Sequence, residues 1–501
     1  MQLRAVELTT HLRRRSAPRL ARWPWARIRH PVPRPDGLLK TTTLPTGNGH
    51  AETRTYDNAG KLKTLTNKRG TTVLSSAAYD YDPNGNPTRI TRQDEVVTYQ
   101  YNVWNMLLQA CYTTSCDTSG ATTDTYFKYR YDKNGNRTTK ERPVGGVNEV
   151  TTYTYNAADQ LTAKDGPSGP CANYEYDDNG NLTRQCGMTY AYNDANKLTA
   201  ATSTGGATNG STQRYTYDGD GNRLTAATST GTTAPAAANT TKYQWDLNNP
   251  LPQLARETNG SNALQRRYTQ GLDTIAMTTG AGTFYYHYDG LGSVTALTNA
   301  TGTVQAQYNY EAYGDLRRST QTAGAPTNPL RYTGEYYDTF TDTYHLRARQ
   351  YDTHLGRFTQ TDPHPAQVAD PYVGRYVYVN NKPTTLVDPS GRIAGKASAT
   401  SGGDAGTFSA SLTCDFGVCE VIVGIVSDFR VFAWSFSYLV IASGDYHAEI
   451  DSGESLFGTY EIYDSYDFEA DTFGPVYVIV TATAIGFGVS ISRPLHLDLA
   501  Q

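Results

Sequence analysis

One short string recurs along this chain and narrows its folding options more than any other feature. It reads Tyr-Asp-x-x-Gly-Asn and starts at Tyr81, Tyr131, Tyr176 and Tyr217. Weaker copies start at Tyr56, Tyr101, Tyr155 and Tyr192, so successive starts lie 16 to 30 residues apart. Between them the chain alternates polar and aromatic residues, as in Val97-Thr98-Tyr99-Gln100-Tyr101 and Thr152-Tyr153-Thr154-Tyr155. A fixed internal repeat means that one small unit is built many times.

The unit itself can be derived. Asn-Gly and Asp-Gly supply the positive φ angles of a tight hairpin turn. The Asp carboxylate accepts hydrogen bonds from backbone N–H groups just ahead of it and holds the turn. The flanking Tyr and Thr suit a pleated strand with one buried face. Each copy is therefore strand, turn, returning strand. A single hairpin is marginal in water, so the copies must share one continuous twisted sheet.

Two other architectures fail on spacing. A calcium loop needs Gly at position 6 and Glu at position 12. Here Gly falls at position 4, and position 12 is Gln93, Pro143, Met188 or Ser229. Propeller blades repeat every ~40–50 residues, which is too long. The Asp and Asn residues read as turn formers. Composition agrees: 39 Tyr against 13 Phe, 45 Gly and only 18% charged residues favour strands and turns over a helix bundle or a doubly wound nucleotide-binding fold. No charge-free apolar run reaches the length of a transmembrane helix. The fold class expected is all-β.

The net charge of −4 hides three regimes. Residues 1–34 carry nine Arg and one Glu, residues 35–392 are nearly balanced, and residues 393–501 carry 3 basic and 14 acidic side chains. Such shifts mark candidate boundaries. The basic leader lacks the apolar core of a secretory signal and reads as a disordered start on a chain that begins within a longer protein. Six cysteines fall in three local pairs: Cys111 with Cys116, Cys171 with Cys186, and Cys414 with Cys419. They fit disulfides of an oxidising compartment, with free thiols the alternative. Zinc is disfavoured, because the C-x4-C spacing is wrong and no His completes a set of four. No cofactor is implied.

The repeat resembles the RHS/YD-repeat family of bacterial Rhs toxins, insecticidal toxin-complex shells and teneurins, over roughly residues 50–392. The resemblance strengthens in a second part similar to the RHS repeat-associated core. There the chain reads Tyr286-His287-Tyr288-Asp289-Gly290-Leu291-Gly292, then Arg331-Tyr332-Thr333-Gly334-Glu335, then Tyr344-His345-Leu346-Arg347-Ala348-Arg349-Gln350-Tyr351-Asp352. Leu355-Gly356-Arg357-Phe358 leads to Asp362-Pro363, and the series ends at Asp388-Pro389-Ser390-Gly391.

The resemblance implies a spiralling antiparallel β-sheet shell with the core as a plug, followed by a variable C-terminal effector that is cut free. The domains expected are a leader over 1–40, the repeat sheet over 41–270, the core over 271–392 and an acidic β-rich module over 393–501. In self-cleaving family members the matching Asp pair acts as an aspartic protease. That gives Asp362 and Asp388 as the catalytic pair, and Arg357 as a guanidinium to position a carboxylate or stabilise developing charge. Two close carboxylates share a proton, so one serves as base and the other as acid. Gly391 and Arg392 mark the cleavage region, with the cut expected after Arg392. The family pattern has Leu where this chain has Arg392.

The tail alternates apolar runs (Val418–Val426, Val431–Ala442, Val476–Ile491) with acidic stretches and reads as antiparallel β. It holds no H-E-x-x-H, G-x-S-x-G or phosphate loop. His447-Ala448-Glu449 lacks the Pro-Cys-x-x-Cys of a zinc deaminase. A net charge of −11 disfavours nucleic-acid binding. A hydrolytic site among His447, Glu449, Asp451 and His496 is a minor alternative to a binding module.

The function expected is the C-terminal portion of a polymorphic toxin, secreted or on the surface of a bacterium. Its partners would be the rest of a longer shell or a delivery apparatus, and an immunity protein for the tail. The rival is a wall-associated protein that binds carbohydrate through exposed Tyr and Asn faces.

Overall fold

The computed structural model describes residues 39–113, 125–363 and 374–392, except 168, 206–207, 232, 249–250 and 272. Beyond 392 it describes the backbone pairing of strands between Gly395 and Asp498. The basic leader up to residue 38 and Cys116 lie outside the described residues. Among the described residues there is no α-helix, only strands and single 3-10 turns. The chain is all-β.

Two meandering sheets dominate. The first has eleven strands in chain order, from Thr41–Thr43 to Leu161–Asp165, and the second has fourteen, from Glu175–Tyr176 to Leu316–Gln321. Every strand pairs antiparallel with its sequence neighbour. The break between the sheets falls at Gly166-Pro167 and Gly169-Pro170. Proline has no N–H to donate, so the ladder stops there. The second sheet runs on through Leu264–Gln270 and Thr274–Thr279 without interruption. Residue 270 is therefore not a break in the hydrogen-bonded sheet.

The repeat unit builds the turns. At Asp132 one carboxylate oxygen accepts the N–H groups of Asn134 and Asn136 at 2.9 and 2.8 Å, while the other accepts the Asn136 amide at 3.1 Å. Gly135 sits at φ +79°, a left-handed value that glycine adopts without steric cost. The repeat tyrosine then ties each unit to the one before it. The hydroxyl of Tyr131 donates to the carbonyl of Leu107 at 2.6 Å, that of Tyr81 to Leu62 at 2.6 Å, and that of Tyr217 to Leu198 at 2.7 Å.

Neighbouring turns also join along the rim. Asn136 reaches Asp159 at 2.7 Å and Asn181 reaches Asn196 at 2.8 Å. Two copies escaped the sequence pattern because their tyrosine has been replaced. Trp245 Nε1 donates to Arg223 at 2.8 Å and Gln270 Nε2 to Leu254 at 2.7 Å, so each makes the same bond from the same position.

Two residues before the repeat tyrosine stands a second tyrosine, and these face inward. Tyr99, Tyr129, Tyr153, Tyr190 and Tyr215 are all buried. They pack with the core segment: Tyr190 and Tyr215 against the centre formed by Tyr332, Tyr344, Tyr351, Phe358 and Tyr378 (Tyr351 and Tyr378 stacking at 3.9 Å), Tyr99 and Tyr129 with Tyr313, and Tyr153 with Leu355. This segment carries a small sheet of four strands: Tyr336–Asp338, Thr343–Leu346, Arg349–Asp352 and Arg357–Phe358.

The core segment is anchored to both large sheets. Asp338 pairs with buried Arg223 at 3.0 Å, and Asn381 donates to the Gly135 carbonyl at 2.7 Å. Where the first sheet meets the end of the second, Asn48 bonds Thr298 at 2.8 Å and Arg317 pairs with Glu95 at 2.8 Å.

Beyond the core, the tail pairs as two antiparallel sheets. One holds Thr407–Asp415, Val418–Ser427 and Tyr460–Glu469; the other holds Asp445–Glu454, Val431–Ala442, Val476–Gly486 and Val489–Asp498. The apolar run from Val476 to Ile491 is thus a hairpin rather than one strand. No helix among the described residues is long and apolar enough to cross a membrane.

Candidate active site

Asp362 and Asp388 are brought together by a residue that the sequence reasoning left aside. Arg349, on the third strand of the small sheet, lies 3.1 Å from Asp362 and 3.3 Å from Asp388. Its guanidinium also stacks 3.5 Å over the Phe358 ring. A planar fork of donors suits two carboxylates at once. Burial pushes Arg349 below its ordinary value, against the pull of the two carboxylates. The Asp388 side chain is only 2% exposed and the Asp362 side chain 30%, so one carboxylate is dry and the other meets water.

The chain around Asp388 folds back onto this group. Asp388 accepts Ser390 Oγ and the Arg392 N–H, each at 3.0 Å. Arg349 Nε donates to the Gly391 carbonyl at 2.5 Å. Gly391 has φ +67°, and a Cβ there would lie 2.1 Å from the Leu346 carbonyl oxygen, so only glycine fits. Arg347 braces the turn, bonding the Pro389 carbonyl and pairing with Glu335 at 3.0 Å. The peptide between Gly391 and Arg392 is therefore gripped at both ends. A guanidinium donor holds its carbonyl, and a buried carboxylate holds its N–H.

Arg357 is placed elsewhere. Its guanidinium donates to the Asp159 carbonyl at 2.5 Å and lies between the rings of Tyr155 and Tyr376. The guanidinium that contacts both carboxylates is that of Arg349, not Arg357. The reason is strand parity and turn path, which bring Arg349 under the Asp388 turn while Arg357 faces the rim of the first sheet. The motif Arg347-Ala348-Arg349 was the available signal.

Cys171 and Cys186 form a disulfide with Cα atoms 5.8 Å apart. Cys111 is disulfide-bonded. Cys414 and Cys419 are directly opposed in the register of two paired strands. In the tail, His447 pairs with Val440 and His496 with Ile479, on strands separated by two others. Among the described residues no group of three or more His, Cys, Asp or Glu is placed to hold a metal.

Comparison with known proteins agrees with this architecture. Residues 257–383 match the family model described as Teneurin YD-shell. The chain is 30% identical over 327 residues to the tRNA3(Ser)-specific nuclease WapA of Bacillus spizizenii, covering 64% of this chain and 13% of that one. It is 25% identical over 244 residues to double-stranded DNA deaminase toxin A of Burkholderia cenocepacia, covering 47% and 15%. The chain thus spans about a seventh of each of these relatives. Among solved structures, TcdB2-TccC3 superposes with a TM-score of 0.58 at 19% identity, over 73% of this chain and 20% of that one, a likeness of fold. With its repeat turns, buried core and matched shell segment, the chain is similar to the YD-shell proteins over residues 257–383.

Proposed function

We propose that this chain is the shell end and core of an Rhs-type toxin, and that the core cuts the chain at its own terminal turn to free residues beyond 392. The observation that carries the reading is Arg349, which bridges Asp362 and Asp388 and also grips the Gly391 carbonyl. Amide hydrolysis needs a polarised carbonyl, an activated water and a proton for the leaving nitrogen. Arg349 Nε supports the first. Asp362, at the wet side, serves as base for water. Asp388, hydrogen-bonded to the Arg392 nitrogen, stands where the proton must go.

The gripped peptide is the one before Arg392, one bond upstream of the cut expected from the family pattern. The two cuts leave fragments that differ by one arginine. The toxin reading is supported by WapA and deaminase toxin A, whose names describe activities on tRNA and on DNA. The acidic tail of this chain argues against a nucleic-acid target.

The test is the intact mass of the purified full chain beside Asp388→Asn. Two fragments breaking at Gly391 or Arg392 in the wild type, and a single full-length species in the variant, are expected. A full-length mass in both would leave the core as a structural plug.

A further inference from the structure

A second buried cluster lies where the first sheet meets the last turn of the second, away from the Asp pair. Lys140, on the strand Arg137–Val144, places its Nζ 2.5 Å from Glu311 Oε1 and 3.2 Å from Asp315 Oδ2. Those side chains are 13%, 1% and 15% exposed. The Lys140 ammonium sits 5.0 Å over the Phe127 ring. His354 Nδ1 holds the other Asp315 oxygen at 3.0 Å while its Nε2 holds Asp342 at 2.8 Å. The group borders a cavity of about 270 Å³ that Arg142, Arg317 and Arg331 also line.

We propose that Lys140 and Asp315 join in an isopeptide bond, with Glu311 as the proton carrier. An amine, a carboxyl carbon within reach and a buried acid beside both are what such a condensation requires. Close approach replaces the high concentration that the reaction needs in water. The ion pair costs desolvation on both sides, and a neutral amide removes that cost.

The step balances without any co-reactant. The Lys140 ammonium passes a proton to the Asp315 carboxylate, and its Nζ lone pair attacks Cγ of Asp315. Glu311 carries protons from nitrogen to the departing oxygen. The C–O bond breaks, water leaves and the N–C bond remains. His354 steadies the oxygen that becomes negative. Two observations favour these roles: burial pushes Glu311 up to about 8, so it holds a proton near neutrality, and its bonds to Asp315 and Asp342 push His354 up to about 11. Burial works to lower Lys140, and the charges of Glu311 and Asp315 outweigh it and raise Lys140 above its ordinary value. The product would be a covalent staple between two sheets that share no ladder at this seam.

The test is the mass of the reduced full chain, with proteolytic mapping. The expected result is a deficit of about 18 Da, one water, carried by a branched peptide joining residues 140 and 315. Glu311→Gln and Lys140→Arg should restore the full mass while the near-ultraviolet dichroism stays that of a folded chain. An undiminished wild-type mass overturns the proposal, and so does a deficit mapped to a succinimide at an Asp-Gly turn. Both residues lie upstream of residue 391, so the deficit is readable whether or not the core cuts itself.

Discussion

The repeat tyrosine does two jobs at one position. Its ring covers the end of a hairpin, and its hydroxyl closes a carbonyl on the preceding unit. Where Trp245 or Gln270 replaces it, a donor is kept and the ring is not always kept. The bond, more than the aromatic surface, is what the position retains. Tyr131→Phe tests this, because Tyr131 bonds both Leu107 and the Tyr313 hydroxyl at 2.6 Å. Loss of a buried hydroxyl that bonds two partners should lower stability by about 1–2 kcal/mol, read as a shift of the urea midpoint at unchanged slope.

At the scale of elements, the weak place is the gap between the two large sheets. Cys171 pairs its backbone with Lys164 at the end of the first sheet, and its sulfur reaches Cys186 in the second. The disulfide therefore spans the point where glycine and proline interrupt the ladder. Cys171→Ser should cost about 3 kcal/mol for a 15-residue loop, and amide exchange should rise in Leu161–Asp165 and Leu182–Gln185 before it rises elsewhere. Uniform exchange along the whole sheet would mean that the bond is not what holds this gap.

How far the elements were legible follows from the same physics. Turn chemistry is local, so Asp132, Gly135 and Asn136 announced their hairpin in the sequence. The pairing of Asp362 with Asp388 could be expected from a resemblance. The guanidinium between them could not, because a residue's reach across the plug depends on strand parity and on the path of a glycine turn. Arg357 and Arg349 are eight residues apart and look equally suitable in the sequence. Only the fold sends one to the rim and the other to the carboxylates.

Across the whole molecule, buried ionisable groups set the response to acid. Burial, with His50 beside it, lowers His287 to about 3, and burial lowers His345 well below its ordinary value. Both stay neutral in the folded chain while the unfolded chain protonates them below about pH 6.5. Their contribution to stability is complete above that pH and falls by about 1.4 kcal/mol per unit for each as the pH drops towards 3. The histidine effect is isolated by comparing urea midpoints of the wild type and His287→Asn from pH 7 to pH 4.5. The variant should show the shallower acid loss, and equal slopes would contradict the assignment.

His287 also shows what joins the molecule. It bonds Thr298 at 2.8 Å in its own sheet and meets the His50 ring of the first sheet edge-on, at 5.1 Å between centroids. Contacts of this kind link residues about 240 positions apart. The amino-acid sequence by itself determined the unit: a hairpin whose turn, cap and inter-unit bond all lie within some thirty residues, repeated until a sheet results. Only the tertiary structure decided where that sheet breaks, which arginine meets the two aspartates, and that Lys140 faces Glu311 and Asp315. Local hydrogen bonds are encoded by neighbours in the chain. Encounters across a coiled sheet depend on its accumulated twist and register, to which every residue contributes and which no single residue reveals.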